Sequence, residues 1–180
     1  MEKGSVQIYY GAGRGKTNAA LGNALRAAGE NKSVIIIQFL KGKTDDQIAY
    51  MKQLEPEIKV FRFEKSEENY DELPEERQAE EKLNMKNGLN FAKKVLVTGE
   101  CNVLILDEVL GLIDAGVISS EELEAVLKAK MDETEVIMTG RVLEESIRSY
   151  ADEIYKKNKK ENVKCLHRTL TDSSSGAILR

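Results

Sequence analysis

The segment GAGRGKT, residues 11–17, has the residue types and spacing that could hold a phosphate group. Glycines let the backbone turn sharply and bring N–H groups close to an anion, and a following helix adds its positive dipole end. Lys16 would supply a full charge, and Thr17 a hydroxyl that can ligate Mg²⁺. The usual phosphate-loop spacing places its first glycine at position 10, where this chain has Tyr10. The segment predicts a shortened phosphate loop, with an ordinary strand-to-helix turn as the alternative.

Two further segments place charged side chains where the rest of such a site is expected. The run NVLILDE ends in Asp107 and Glu108, and carboxylates at the end of a strand can hold Mg²⁺ directly or through water. The run EVIMTGR ends in Arg141, whose guanidinium could bind phosphate oxygens in a forked arrangement. Taken alone, the two acids could equally cap a helix, and Arg141 could be a surface residue after a tight turn.

The elements that must position these residues alternate between apolar β-rich runs and helical patterns. This alternation indicates a single α/β domain over residues 1–180, with a P-loop NTPase-like, mostly parallel sheet and helices on both faces. Helices are predicted from Lys16 to Glu30, after Pro74, and after Ser119, which could form a capping box with Glu122. Strands are predicted at Val6–Tyr10, Ser33–Phe39, Lys59–Phe63, Asn102–Glu108 and Glu135–Arg141.

The composition narrows the range of functions. The 180 residues are 41% hydrophobic, and a net charge of −4 argues against broad binding of nucleic acid or anionic membranes. No apolar run approaches the roughly 20 residues of a membrane span, and we expect no signal peptide before the first strand. Cys101 and Cys165 predict neither a disulfide framework nor a four-ligand metal site. A reduced cytoplasmic enzyme or binding protein is expected.

The stretch from Glu64 to Glu81 holds nine acidic residues against Lys65 and Arg77. One interpretation is a solvent-exposed loop that leads into a helix, and the other is a mobile segment that covers a ligand. The lysine-rich tail from Tyr155 is interpreted as a last strand and a frayed end.

Four segments resemble a known family in their order and spacing. GAGRGKTNAALGNALRAAG, VIIIQFLKG, VLILDE and VIMTGR are similar to segments of the ATP:corrinoid adenosyltransferases of the cob(I)yrinic acid a,c-diamide type. That family's loop reads G-x-G-K-G-K-T-T and also has no glycine at the place of Tyr10. The short loop is therefore interpreted as the family's own form.

The resemblance implies a specific reaction and a specific nucleotide site. Such enzymes bind Mg·ATP in an unusual orientation, the Co(I) of a reduced corrinoid attacks the ribose C5′, and triphosphate leaves. Co(I) is already a strong nucleophile, so no general base is needed. The nucleotide-binding residues implied by the resemblance are Gly11, Ala12, Gly13, Arg14, Gly15, Lys16, Thr17, Asn18, Lys41 and Arg141.

The resemblance also implies roles for individual residues and for partners. Lys16 and Arg141 would be catalytic because they stabilise the leaving triphosphate. Thr17, Asp107 and Glu108 would hold Mg²⁺. ATP and a reduced corrinoid would be the substrates, with a flavoprotein as a candidate reductant, a homodimer as the assembly, and no nucleic acid or membrane as partner.

The chain departs from the family pattern at three places: Asn18 replaces a second threonine, tryptophan is absent, and the sequence ends in GAILR. Phe61, Phe63 and Tyr70 could line a corrinoid, although the two phenylalanines also fit a strand core. Two other functions therefore stay open. One is a different P-loop enzyme, such as a small-molecule kinase or ATPase, although the acidic stretch 64–81 disfavours a phosphate-binding lid. The other is a non-catalytic paralogue that binds ATP or a corrinoid.

Overall fold

The described part of the chain forms one sheet of six parallel strands. The structure, a computed structural model, describes residues 3–13, 15–40, 50 and 52–158. The strand order is β3-β2-β4-β5-β1-β6, and every neighbouring pair is parallel. The strands are β1 (Val6–Tyr10), β2 (Val34–Gln38), β3 (Ile58–Arg62), β4 (Val103–Asp107), β5 (Glu135–Gly140) and β6 (Glu153–Lys156). The predicted parallel α/β sheet is confirmed, and β6 begins two residues before the predicted Tyr155.

The helices connect these strands and start at recognisable signals. Pro74 precedes the longest helix, and Glu75 and Glu76 in its first turn favour the positive end of the helix dipole. The capping box predicted at Ser119 and Glu122 is present, with each side chain bonded to the other's backbone N–H. The α-helices are α1 (Lys16–Gly29), α2 (Glu75–Thr98), α3 (Gly111–Asp114), α4 (Ser120–Leu127) and α5 (Glu145–Arg148), with 3-10 turns at Lys52–Leu54 and Tyr70–Glu72.

Helices cover both faces of the sheet, and β2 shows why its sequence is almost continuously apolar. Successive side chains of a strand point to opposite faces. Val34 and Ile36 belong to the cluster that includes Ala24 of α1, whereas Ile35 and Ile37 belong to the cluster of α2 and α4. Every residue of β2 is buried. A strand covered on both sides has no polar face, which is the pattern of a central parallel strand.

The acidic stretch is fixed to the fold by its own last residue. The carboxylate of Glu81 is buried and accepts hydrogen bonds from the backbone N–H groups of Lys65 at 3.1 Å and Ser66 at 2.9 Å. Arg62 Nη2 donates to the carbonyl of Ser66 at 2.6 Å. The stretch is thus a loop and the start of α2, as the first interpretation predicted. Its residues 69–72 also line a cavity at the carboxyl edge of the sheet.

The phenylalanines considered as corrinoid contacts lie in the packing between β3 and α2. The ring of Phe91 is 4.8 Å from that of Phe61 and 5.6 Å from that of Phe63, measured between centroids. Gly88 allows this approach, since a Cβ there would lie 3.0 Å from the rings of Phe39 and Phe63. Both candidate phenylalanines are therefore half-buried and pack against the core. Among the described helices, none is long and apolar enough to cross a membrane.

Cys101 gives a test of the packing at the start of β4. Burial raises the pKa of its thiol to about 12. We expect Cys101 to resist iodoacetamide at pH 8 in the folded protein, because the thiolate is the reacting species. Mass spectrometry of the Cys165→Ser variant should show labelling in guanidinium chloride and little without it.

The raised pKa of Cys101 also makes the stability of the folded protein depend on pH. The folded pKa lies above the ordinary value of 9.0, so the unfolded thiol ionises first and the folded state loses stability as the pH rises above 9.0. Rapid labelling of the native Cys165→Ser protein would show that Cys101 is accessible and would contradict this packing.

Candidate functional site

The phosphate loop joins β1 to α1, and two of its glycines adopt backbone angles that other residues avoid. The φ angle is 118° at Gly11 and 97° at Gly15. Gly15 directly precedes the first residue of α1. The N–H groups of a first helical turn have no partner inside the helix, so they are suited to an anion. The predicted order of strand, glycine loop and helix is present.

Lys16 brings its charge into the loop. Its Nζ donates to the carbonyl oxygens of Gly11 at 2.8 Å and Gly13 at 2.9 Å, and the residue is 8% exposed. The side chain therefore folds back across the loop, and the ammonium group lies where an anion bound by the loop would meet it. An isolated ammonium group is costly to bury. The hydrogen bonds to these two carbonyls offset part of that cost.

The chain that follows β6 packs against the same loop. Gly11 N donates to Gly140 O at 3.2 Å, and Gly13 N donates to Lys157 O at 3.1 Å. A Cβ on Gly11 would lie 2.3 Å from Lys157 O, and one on Gly13 would lie 2.2 Å from Asn158 O. Only glycine tolerates this approach. Two of the amides that the sequence assigned to phosphate thus donate to protein carbonyls here.

Asp107 connects the loop to three strands. The residue is 1% exposed, and its Oδ1 accepts from Thr17 Oγ1 at 2.9 Å and Thr139 Oγ1 at 2.7 Å. Its Oδ2 accepts from Gln38 Nε2 at 3.2 Å. The strand order explains this arrangement, because β5 lies between β4 and β1 and presents Thr139 beside the carboxylate. Sequence reasoning assigned no role to Gln38 or Thr139. Each is a polar residue near the end of an apolar strand, and this sequence feature could have identified them.

Glu108 follows Asp107 at a sharp turn of the backbone. Its φ of 60° is in the left-handed region, which non-glycine residues rarely adopt, and its N–H donates to Thr139 Oγ1 at 2.8 Å. Such backbone strain concentrates at functional sites. The turn separates the two neighbouring acids, since Asp107 bonds the phosphate-loop threonine whereas Glu108 lines a cavity.

This cavity, of about 570 Å³, lies beyond the carboxyl ends of the strands. Its described lining consists of Leu40, Asn69, Tyr70, Asp71, Glu72, Glu108, Gly111, Asp114, Ala115 and Arg141. Burial, followed by the charge of Glu144, raises the pKa of the Asp114 carboxyl above its ordinary range. Open parallel sheets bind ligands at this edge.

The structure brings most of the predicted residues into two adjoining groups. The first group is the phosphate loop itself, with Gly11, Gly13, Gly15, Lys16 and Thr17. The cavity receives the two predicted residues Glu108 and Arg141, and also Tyr70.

The remaining predicted residues lie at the margins of these groups. Ala12 is exposed at the tip of the loop, and Asn18 is exposed on the first turn of α1. Arg14 and Lys41 lie outside the described residues.

The oxygen atoms at this junction suit Mg²⁺ that arrives with a nucleotide. Among the described residues, no group of three or more His, Cys, Asp or Glu side chains could hold a metal ion alone. Mg²⁺ prefers hard oxygen ligands and commonly combines one or two carboxylates with phosphate oxygens and water. Thr17, Asp107 and Glu108 offer a hydroxyl and two carboxylates of that kind. The donor set therefore fits a metal shared with phosphate.

Fold and site together define a P-loop nucleotide-binding α/β protein. The ATP:corrinoid adenosyltransferase family BtuR/CobO/CobP matches residues 2–164. The chain belongs to this family.

Individual relatives agree with this assignment. The chain is 28% identical over 153 residues to the corrinoid adenosyltransferase of Escherichia coli K12, covering 85% of this chain and 76% of that protein. It is 29% identical over 153 residues to the corrinoid adenosyltransferase CobA of Salmonella typhimurium, with coverage of 85% and 76%. A protein of Nostoc sp., all2391, is 32% identical over 162 residues, covering 83% of this chain but 42% of the Nostoc protein.

A solved structure supports the fold. The flagellar accessory protein FlaH from Methanocaldococcus jannaschii superposes with a TM-score of 0.57 at 17% identity, covering 87% of this chain and 72% of that chain. At this identity the likeness concerns the fold alone.

Replacing Thr139 by valine tests the junction. The change keeps the side-chain shape but removes the acceptor of Glu108 N–H and one donor to Asp107. We expect a loss of about 1–3 kcal/mol in the free energy of unfolding, since buried polar groups lose their partners. Weaker binding of Mg·ATP should accompany it, measured by urea denaturation and calorimetry.

Thr98→Val is the matched control, because the Thr98 hydroxyl lies on the surface of α2 and bonds only within that helix. We expect a change of less than about 0.5 kcal/mol in the control. Equal stability and equal Mg·ATP affinity in Thr139→Val and Thr98→Val would show that the Thr139 hydroxyl does not organise the site.

Proposed function

We propose that this protein transfers the 5′-deoxyadenosyl group of ATP to the Co(I) of a reduced corrinoid and releases triphosphate. Membership of the corrinoid adenosyltransferase family supports the proposal. The observation that carries it is the placement of Asp107 and Glu108: one bonds Thr17 of the phosphate loop at 2.9 Å, and its neighbour lines the cavity. A triphosphate in the loop would thus have its nucleoside beside a space for a second substrate.

The chain after β6 supports one direction for the nucleotide. Lys157 and Asn158 pack against Gly11 and Gly13 and cover the loop on that side. A nucleoside attached to a triphosphate in the loop would extend instead toward Glu108. In this direction the ribose C5′ would face the cavity, which is where an attacking corrinoid would have to lie.

The chemistry requires little beyond positioning and charge. The electron pair of Co(I) forms the bond to C5′ as the C5′–O5′ bond breaks. The pair from the broken bond leaves on triphosphate, and cobalt becomes Co(III). The leaving group gains negative charge, which Lys16, the amides at the start of α1 and Arg141 would stabilise. No proton is transferred in this step.

Mg²⁺ would neutralise part of the charge on the triphosphate. Thr17 and Glu108 would hold it, and Asp107 would orient the Thr17 hydroxyl through their hydrogen bond. A cytoplasmic location, a homodimeric assembly and a flavoprotein reductant belong to the proposal through the family resemblance alone.

Lys16→Ala tests the proposed transfer reaction. The assay is anaerobic incubation with Mg·ATP and chemically reduced cobinamide or cobalamin, followed by absorbance and by measurement of triphosphate. We expect the wild type to form a light-sensitive adenosyl product and the variant to lose about 100-fold or more in kcat/KM, the typical effect of removing one group that stabilises developing charge. Lys93→Ala, on the exposed surface of α2, is the control.

The other outcomes of this assay identify the alternative functions. Phosphate release or phosphorylation without a cobalt–carbon bond would replace the proposal by a kinase or ATPase. ATP binding without transfer to any corrinoid would indicate a binding paralogue.

Glu108→Gln tests the proposed metal ligand. The amide keeps the shape but removes the charge, so we expect the Mg²⁺ concentration for half-maximal activity to rise about tenfold, within the range seen when residues around a metal are altered. Glu133→Gln, at the opposite end of the sheet next to β5, changes the net charge equally and serves as the control. An unchanged Mg²⁺ titration would remove Glu108 from the metal site.

A further inference from the structure

The chain that leaves β6 runs along the phosphate loop. Lys157 N donates to Tyr10 O at 2.7 Å, and Gly13 N donates to Lys157 O at 3.1 Å. These two bonds continue the pairing of β1 with β6 past Tyr10 and Lys156, where the two strands end. Lys157 thus holds the end of β1 and the middle of the loop together. We call residues 157–158 the clamp.

Gly13 leaves the space that the clamp occupies. Unlike Gly11 and Gly15, Gly13 does not have a positive φ, so its backbone angles alone do not require glycine. A Cβ at this position would lie 2.2 Å from Asn158 O and 3.0 Å from Lys157 O. Because a Cβ cannot come this close to a backbone oxygen, any other residue would displace the clamp or the loop. The glycine at position 13 is therefore matched to the clamp.

The clamp and an anion in the loop would use different amides. The Gly13 N–H is directed to the clamp, whereas the N–H groups in the first turn of α1 have no partner inside the helix. The clamped stretch also carries the carbonyls of Gly11 and Gly13, to which Lys16 Nζ donates at 2.8 Å and 2.9 Å. The clamp thus fixes the part of the loop that positions the Lys16 charge, and it leaves the start of α1 to the anion.

We propose that the backbone of Lys157 and Asn158 is a positioning element of the phosphate site, and that phosphate binding and docking of the clamp strengthen each other. The inference rests on the nucleotide site of the proposed function but not on the transfer to cobalt. A loop that is already held in place does not have to be ordered when the anion binds, so the clamp lowers the entropic cost of binding. Coupling of this kind is reciprocal, so a bound nucleotide holds the clamp more firmly in return.

Hydrogen exchange in the wild type tests the coupling without any corrinoid. The exchange rates of the Gly13 and Lys157 amides are measured by NMR with and without saturating Mg·ATP. We expect both amides to exchange at least about fivefold more slowly with Mg·ATP, the lower end of typical couplings between two sites. The Gly99 N–H, which donates to Val95 O at the end of α2, is the internal reference and should keep its rate.

Lys157→Pro removes the N–H that donates to Tyr10 O and leaves every residue of the loop unchanged. We expect the affinity for Mg·ATP, measured by calorimetry, to fall at least about fivefold, because reciprocity gives the same factor in both measurements. Lys156→Pro removes an equal charge and is the matched control. Neighbouring N–H groups of a strand point to opposite sides, so the Lys156 N–H points away from β1, where proline is tolerated. This control should bind Mg·ATP as the wild type does.

Gly13→Ala places a methyl group against the clamp. We expect the Lys157 amide to exchange about fivefold faster in this variant without any nucleotide, the effect of losing roughly one hydrogen bond on local opening. Gly22→Ala, on α1 with no atom within 4 Å of the added Cβ, is the control and should keep the wild-type rate. Because this readout needs no phosphate, it separates loss of the clamp from direct obstruction of the anion.

The remaining outcomes decide against the inference. Exchange that Mg·ATP leaves unchanged would show that clamp and nucleotide are independent, and faster exchange would show that the clamp has to leave before phosphate binds. Equal affinity for Mg·ATP in the two proline variants, or equal exchange in the two alanine variants, would also overturn it. If the variants do not fold, as circular dichroism would show, the wild-type exchange rates decide alone.

Failure of the proposed function has a different signature. Protection of the clamp by Mg·ATP without adenosyl transfer to a reduced corrinoid would overturn the proposed function and leave the clamp in place. A wild-type protein that does not bind Mg·ATP would overturn both.

Discussion

The hydrogen bonds of the buried Asp107 carboxylate are the interaction on which the site depends. A carboxylate that is 1% exposed needs partners, and Asp107 has side-chain donors from Thr17, Gln38 and Thr139. These donors come from α1, β2 and β5, so the carboxylate is satisfied only when all three elements are in register with β4. The same hydrogen bonds therefore fix both the alignment of the strands and the position of Thr17, the candidate Mg²⁺ ligand.

The short phosphate loop follows from where β1 ends. Tyr10, at the position of the usual first glycine, is the last residue of β1 and is paired with Gly140 and Lys156 on its two sides. Its carbonyl accepts from Lys157 N at 2.7 Å. The strand thus continues through the position where a standard loop has already begun to turn. The positive φ of Gly11, one residue later, starts that turn here.

The elements were largely predictable from the sequence, but the contacts between them were not. The strands β2, β4 and β5 are almost completely buried, so a nearly continuous apolar run marks each of them. Gln38 and Thr139 are distant along the chain from Asp107, and their roles depend on a strand order that hydrophobic periodicity does not determine. Glu81 looked like another acid of a solvated helix, whereas its carboxylate organises the loop before it. Lys16 and Thr17 were predictable because a local motif carries their positions.

For the proposed reaction, the charges of the phosphate loop and of the neighbouring cavity favour one arrangement of the two substrates. Lys16 and the start of α1 make the loop side attractive to an anion, whereas the described lining of the cavity includes four carboxylates beside Arg141. A triphosphate placed in the cavity would face those carboxylates, which disfavours the reversed nucleotide. Glu108 lies between the loop and the cavity. The left-handed backbone at Glu108 allows Asp107 to contact the loop while its neighbour Glu108 lines the cavity. A single pattern of charge would thus orient the nucleotide and present C5′ to the cavity.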